Sequence, residues 1–245
     1  MPFSAPHTPF QASREYYDRF ADVGDEAVRV YRAMVAQLDA AVGRILGELE
    51  AQGIADSTLV MFTSDNGGAA YTGGTTNAPL RGGKMTLFEG GLGVPFLVRW
   101  DGVLPAGAVV DTPVVATDFF VTSAAAASVA LPRDRIYDGV DLRPLVLHPE
   151  QAIRHDALFW KTMYGVVVRR GSWKLILDDH LGTVRLYDLA ADPGESRDVS
   201  SGHPGLVDEL TRRAREWAGQ LSPPLWPNLM EVHWQIDGEG VVFPI

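Results

Sequence analysis

Three short segments carry side chains able to do chemistry together. Ser64-Asp65-Asn66-Gly67-Gly68 sets a carboxylate beside a carboxamide, with glycines that admit other backbone closely. Oxygen donors of these two kinds suit Ca²⁺ or Mg²⁺. Two ligands fall short of the roughly six to eight oxygens Ca²⁺ takes, and the same residues also make an ordinary turn. The second segment, Leu80-Arg81-Gly82-Gly83-Lys84, leads into Glu89-Gly90-Gly91. Two cations in a glycine-rich loop can hold a tetrahedral oxyanion, or be simply solvated. Lys84 has the reach for such an anion, whereas Arg81 could instead brace the loop. In the third, Ala5-Pro6-His7-Thr8-Pro9, prolines restrict the backbone around an imidazole that exchanges a proton near neutral pH. That serves acid catalysis, although a histidine in a proline-rich turn is also a common surface residue.

Asp178-Asp179-His180 is a denser cluster of metal-type ligands. It falls between two short strand patterns and is followed by Gly182, so it reads as a solvated hairpin connection rather than a metal site. Arg169-Arg170 and Arg212-Arg213 read as solvated faces.

The elements that must position these residues are legible in outline. From Asp25 to Gln52 apolar residues recur at three- and four-residue steps, which predicts a long amphipathic helix ended by Gly53. The apolar run Thr58–Thr63 predicts a central parallel strand buried on both faces, with Ser64, Asp65 and Asn66 at its carboxyl end, where ligands gather in α/β folds. Residues 67–83 hold six glycines and too few apolar side chains for a core, so they predict a functional loop. Further strands are expected at Val94–Trp100 and Val109–Val115, then a helix over Asp118–Val129. After His148 and Pro149 the pattern changes to short strands at Gly165–Arg169, Trp173–Leu177 and Thr183–Leu189, with a helix over Pro204–Leu221 to cover them. Ser222–Pro227 is expected to separate that helix from an irregular tail. These expectations divide the chain into domains at 1–148 and 149–245.

Composition bounds the function. With 21 Lys and Arg against 31 Asp and Glu the formal charge is −10, which disfavours binding to nucleic acid. There is no cysteine, hence no disulfide, thiolate metal site or cysteine nucleophile in these 245 residues. No apolar stretch reaches the roughly 18 residues that span a bilayer. Met1–Phe10 lacks a basic cluster followed by an apolar core, so it does not read as a secretory signal, and the chain is expected to open inside a longer protein. The compartment stays open.

Taken in this order, the segments resemble the C-terminal part of a type I, formylglycine-dependent sulfatase of the alkaline phosphatase-like superfamily. The resemblance is carried by Ala5–Phe10, Tyr31–Gly43 with Gly53–Gly68, Pro79–Gly91, Asp138–Pro144, and Trp173–Leu175 with Leu186–Glu195. It implies an α/β fold: a partial α/β/α sandwich followed by a small C-terminal antiparallel sheet with a covering helix. By the same resemblance Asp65 and Asn66 match the second pair of ligands to a divalent cation, usually Ca²⁺. Lys84 matches the lysine that contacts the sulfate, and His7 the histidine near the leaving oxygen, the proton donor.

The family's nucleophile, a formylglycine made in a Cys/Ser-x-Pro-Ser-Arg segment, lies upstream of these residues, as do further aspartate, lysine and histidine ligands. None has a match here. The resemblance implies a sulfuric ester hydrolase acting on a sulfated small molecule or sugar. The isolated chain is expected to be inactive, poorly stable, and completed by an upstream half of the same enzyme. A non-catalytic anion- or metal-binding module, and a phosphate or phosphonate ester hydrolase of the same superfamily, are the alternatives.

Overall fold

The computed structural model describes residues 1–226, 229–236 and 239–244. Chain order is α1 (Arg14–Asp18), α2 (Glu26–Ala51), β1 (Val60–Thr63), α3 (Glu89–Leu92), β2 (Phe96–Arg99), α4 (Asp118–Ala126) and α5 (Arg143–Leu147). Then come β3 (Leu158–Lys161), β4 (Gly165–Arg170), β5 (Trp173–Asp178), β6 (Thr183–Asp188), α6 (Pro204–Ala218), β7 (Glu231–Ile236) and β8 (Glu239–Pro244). The chain forms two compact units, one of residues 1–64, 71–75 and 95–155, the other of residues 65–70, 76–94 and 156–245.

In the first unit, α2 has the bounds its periodicity predicts. The Asp25 carboxylate accepts from Val28 N at 3.0 Å, satisfying one orphan donor, and Gly53 leaves the helix at φ +67°. β1 departs from expectation: it pairs antiparallel with β2, from Val60 opposite Arg99 to Thr63 opposite Phe96. A parallel partner needs a crossover that returns the chain to the strand's starting end, usually on a helix of some length. The segment between β1 and β2 offers only the four-residue α3 as α-helix, and it leaves and re-enters the pair at the same end. Nor is β1 buried on both faces, since its four residues are half-buried.

No strand forms at Val109–Val115. The N–H of Val115 is taken at 2.9 Å by the Asp118 carboxylate, which also accepts from Val140 N and lies 2.8 Å from His155 Nε2. Asp118, wholly buried at the start of α4, therefore holds these passes of chain by side-chain bonds instead of a ladder.

In the second unit β3, β4, β5 and β6 form an antiparallel meander in sequence order. Apolar cover lies on both faces, and β4 and β5 accordingly read as nearly continuous apolar runs, whereas β6 is apolar only in part. Val166, Val168, Leu175, Leu177 and Leu186 meet Leu210 and Ala214 of α6, and the opposite face places Val167, Ile176 and Tyr187 against Phe88. β3 was not anticipated. The expected irregular tail is also corrected, because β7 and β8 pair antiparallel, Glu231 opposite Pro244 to Ile236 opposite Glu239. The alternation Val232, Trp234, Ile236 is the period-two signal that marks it.

The molecule is thus a mixed α/β fold with antiparallel sheets. Among the described residues no helix is long and apolar enough to cross a membrane.

Candidate functional site

Asp65, Asn66 and Lys84 belong to the same unit, and backbone brings their segments together. Gly67 N donates to Gly91 O at 2.9 Å, and a Cβ on Gly67 would lie 1.7 Å from Gly90 O. Only glycine fits there. Lys84 N donates to Gly68 O at 3.0 Å, tying the cation-bearing loop directly to the Asp65–Asn66 turn. Asn77 clamps the junction: its Oδ1 accepts from Gly68 N, and its Nδ2 donates to Gly68 O and Gly82 O, each at 2.9 Å.

The loop that follows is equally tight. Thr86 Oγ1 accepts from Gly83 N at 3.0 Å and donates to Gly83 O at 2.8 Å, while Gly90 N donates to Arg81 O at 2.7 Å. Met85, the neighbour of Lys84, holds φ +73°, a left-handed conformation that costs a non-glycine residue about 1–3 kcal/mol. Strain of this kind persists where surrounding bonds over-determine the backbone, as they do here.

Asn66 Nδ2 donates to Gly67 O at 2.9 Å, which orients the carboxamide and identifies Oδ1 as its ligand-type oxygen. The adjacent Asp65 is exposed. A carboxylate and an amide oxygen side by side are the hard donors that Ca²⁺ or Mg²⁺ takes, so these two residues fit part of such a coordination shell. Among the described residues no group of three or more His, Cys, Asp or Glu is arranged to hold a metal. Asp178 and Asp179 are engaged elsewhere: Asp178 Oδ1 accepts from the N–H groups of His180 and Leu181, and Asp179 pairs with Arg215. The Arg215 guanidinium holds the Asp179 carboxyl below the usual carboxylate range.

A buried ionic cluster fastens the Lys84 loop to the meander. Lys174 Nζ, wholly buried on β5, lies 2.8 Å from Glu89 Oε1 and 2.9 Å from Glu195 Oε1. The second contact is an ion pair without hydrogen-bond alignment. Glu195 Oε2 accepts from Glu89 N at 2.5 Å, and Arg169 Nη1 reaches Glu89 Oε2 at 3.1 Å. Arg81 donates to Glu195 O at 3.1 Å and lies over the Phe88 ring, so it braces the loop. Burial pushes the Glu195 carboxyl up from its ordinary value, against the opposing pull of Lys174 and of the Glu89 N–H.

Asn77, Lys174 and Glu195 escaped the sequence reading. Lys174 had a visible signal, a lone charge inside the apolar run Trp173–Leu177.

His7 belongs to the first unit and is exposed. Its Nδ1 lies 2.7 Å from Thr8 O. A carbonyl only accepts, so Nδ1 carries the hydrogen, and Nε2 is the nitrogen that takes up and gives back a proton.

The sulfatase family model matches residues 1–129, more than half of the sequence. The chain belongs to the sulfatase family. It is 32% identical to steryl-sulfatase of Mus musculus, over 83% of this chain and 40% of that protein. With N-acetylgalactosamine-6-sulfatase of Mus musculus the identity is 38%, over 85% of this chain and 45% of that protein. The crystal structure of Ps i-CgsB in complex with k-i-k-neocarrahexaose superposes with a TM-score of 0.83 at 30% identity, covering 91% of this chain and 50% of the other. This chain thus spans less than half the length of either mouse sulfatase.

Proposed function

We propose that this chain is part of a sulfuric ester hydrolase and supplies one wall of its active site. The observation that carries the reading is the junction at Gly68, where backbone and Asn77 fix the Lys84 loop on the Asp65–Asn66 turn. The backbone bond ties the segment that bears the lysine to the segment that bears two hard oxygen donors, which supports a site for a metal-bound sulfate monoester.

On this reading Asp65 and Asn66 contribute two of the oxygen ligands to Ca²⁺ or Mg²⁺. When bound, the cation neutralises charge on the sulfate oxygens. The Lys84 ammonium contacts the sulfate group and stabilises negative charge where the S–O bond breaks. His7 gives a proton from Nε2 to the departing oxygen, because an alkoxide is a poor leaving group. The chain has no cysteine and no Ser-x-Pro-Ser-Arg segment, so it supplies no residue for a formylglycine nucleophile. Exposed apolar side chains in the first unit, among them Leu97, Val109, Phe120 and Ile136, support a covering partner, which on this reading is the upstream half of the same enzyme.

Calorimetric titration of Ca²⁺, then of inorganic sulfate, tests the assignment on the chain itself. Asp65→Ala is expected to abolish Ca²⁺ binding. Lys84→Ala is expected to weaken sulfate binding about tenfold with Ca²⁺ binding unchanged, the scale of one charge-assisted hydrogen bond. Asp178→Ala should change neither. Loss of Ca²⁺ binding in Asp178→Ala with Asp65→Ala unaffected overturns the site.

A further inference from the structure

Asn66 and Gly67 form the one Asn-Gly pair in the sequence; the other asparagines, Asn77 and Asn228, precede Ala78 and Leu229. An asparagine before glycine is open to self-modification. The backbone nitrogen of the glycine loses its proton and attacks the side-chain carbonyl carbon, Cγ. The new N–C bond closes a five-membered imide as the bond from Cγ to Nδ2 breaks and ammonia leaves. Water then opens the imide at one of its two carbonyls, leaving aspartate or isoaspartate. Glycine favours the attack, because without a Cβ its nitrogen is unhindered and its backbone turns freely.

The structure supplies one requirement of this reaction and withholds two. Asn66 Nδ2 donates to Gly67 O at 2.9 Å, so the carboxamide is folded against the residue whose nitrogen attacks. Yet Gly67 N donates its hydrogen to Gly91 O at 2.9 Å, and an N–H so engaged does not give up its proton until the bond opens. Nor is the peptide free to turn, since Gly67 is buried and packed so closely on Gly90 O that a Cβ would not fit. Gly90 and Gly91 are held in turn by their neighbour Glu89, which pairs with Lys174 and Arg169.

We infer that Asn66 is a latent self-modification site, kept as the amide by the hold of the Gly90–Gly91 backbone on Gly67 and converted to aspartate or isoaspartate when that hold opens. Either product alters the turn. Aspartate sets a second carboxylate beside Asp65 and removes Nδ2, the donor to Gly67 O. Isoaspartate carries the chain through the side-chain carbon, which lengthens the backbone by one atom immediately before the closely packed Gly67. The bond that joins the two segments of the site thus also preserves the carboxamide in one of them. The inference needs only these backbone contacts and the Asn-Gly pair, not the assignment of Asn66 as a metal ligand.

The test incubates the 245-residue chain in mildly alkaline buffer without added Ca²⁺, and follows each asparagine by proteolytic digestion and mass spectrometry. Unfolded in guanidinium chloride, the chain is expected to convert at Asn66 while Asn77 and Asn228 stay amides. A reaction confined to an open minor state runs at the open-state rate multiplied by the open fraction, so the native chain is expected to convert at least about tenfold more slowly. Asn77→Ala loses three hydrogen bonds at the Gly68 junction and should convert at least about fivefold faster than the native wild type, with thermal melting checking that it is folded. On the wild type itself, sub-denaturing guanidinium chloride should raise Asn66 conversion and hydrogen exchange at Gly67 N together. Three results would each overturn the inference: an Asn66 that stays an amide in the unfolded chain, a native chain that converts as fast as the unfolded one, or conversion that does not follow Gly67 exchange. A folded Asn77→Ala with the wild-type rate would do the same.

Discussion

Lys174→Met is the sharpest probe of how the Lys84 loop is held. The substitution keeps most of the side-chain volume but removes the ammonium from a position with no solvent exposure, 2.8 Å from Glu89 and 2.9 Å from Glu195. Glu89 retains Arg169, while Glu195 retains the Glu89 N–H. Breaking one partner out of a buried ion pair typically costs about 3–5 kcal/mol.

The structure supplies a second route to the figure. Left without Lys174, Glu195 can escape by taking a proton; from an ordinary value of 4.5 this caps the loss at about 2.5 × 1.36, or roughly 3.4 kcal/mol, at pH 7, and the loss falls below that ceiling because burial already pushes the carboxyl up when Lys174 is present. Lys174 lowers the Glu195 pKa, so removing it raises that pKa further; a carboxyl whose folded pKa is raised contributes stability below its unfolded value and loses it as pH rises through the folded one, and the variant's deficit therefore grows with pH. At pH 5 the same arithmetic puts the ceiling at about 0.7 kcal/mol. Urea unfolding followed by tryptophan fluorescence at both pH values reads the difference, since Trp173 is the adjacent residue. A loss below about 1 kcal/mol at pH 7, or one that does not change with pH, would refute the argument that an uncompensated buried carboxylate dominates.

Two further outcomes are expected. Asn77→Ala removes three side-chain hydrogen bonds at the Gly68 junction, costs about 1–3 kcal/mol, and speeds amide exchange at Lys84; unchanged exchange there would show that backbone bonds alone hold the loop. Because Leu97, Val109, Phe120, Val129 and Ile136 are exposed in the first unit, the isolated chain should bind an apolar fluorescent dye in the native state and release it when a covering partner is added; a native state with no dye binding would count against that partner.

Local signals were enough for much of this molecule. The three-and-four periodicity, the Asp25 cap and Gly53 fixed α2 without reference to anything distant, because helix bonds join near neighbours. Short apolar runs between turn residues gave β4, β5, β6 and the helix that covers them. The same signal misjudged β1, since an apolar run is equally compatible with parallel and antiparallel neighbours. Val109–Val115 failed for a related reason: its strand-like composition was outweighed by the Asp118 carboxylate, which drew off a backbone N–H that a ladder would need.

At the site, the sequence by itself determined the reactive residue types: a carboxylate and carboxamide at 65 and 66, a lysine in a glycine-rich loop at 84, a histidine between prolines at 7. Only the tertiary structure decided what holds them. The Gly68 junction and the Asn77 clamp join residues up to sixteen apart, and the cluster of Lys174, Glu89 and Glu195 joins residues about a hundred apart. No local pattern encodes such partners, because a buried charge is tolerable only where folding delivers its counter-charge, and that delivery is a property of the packed whole.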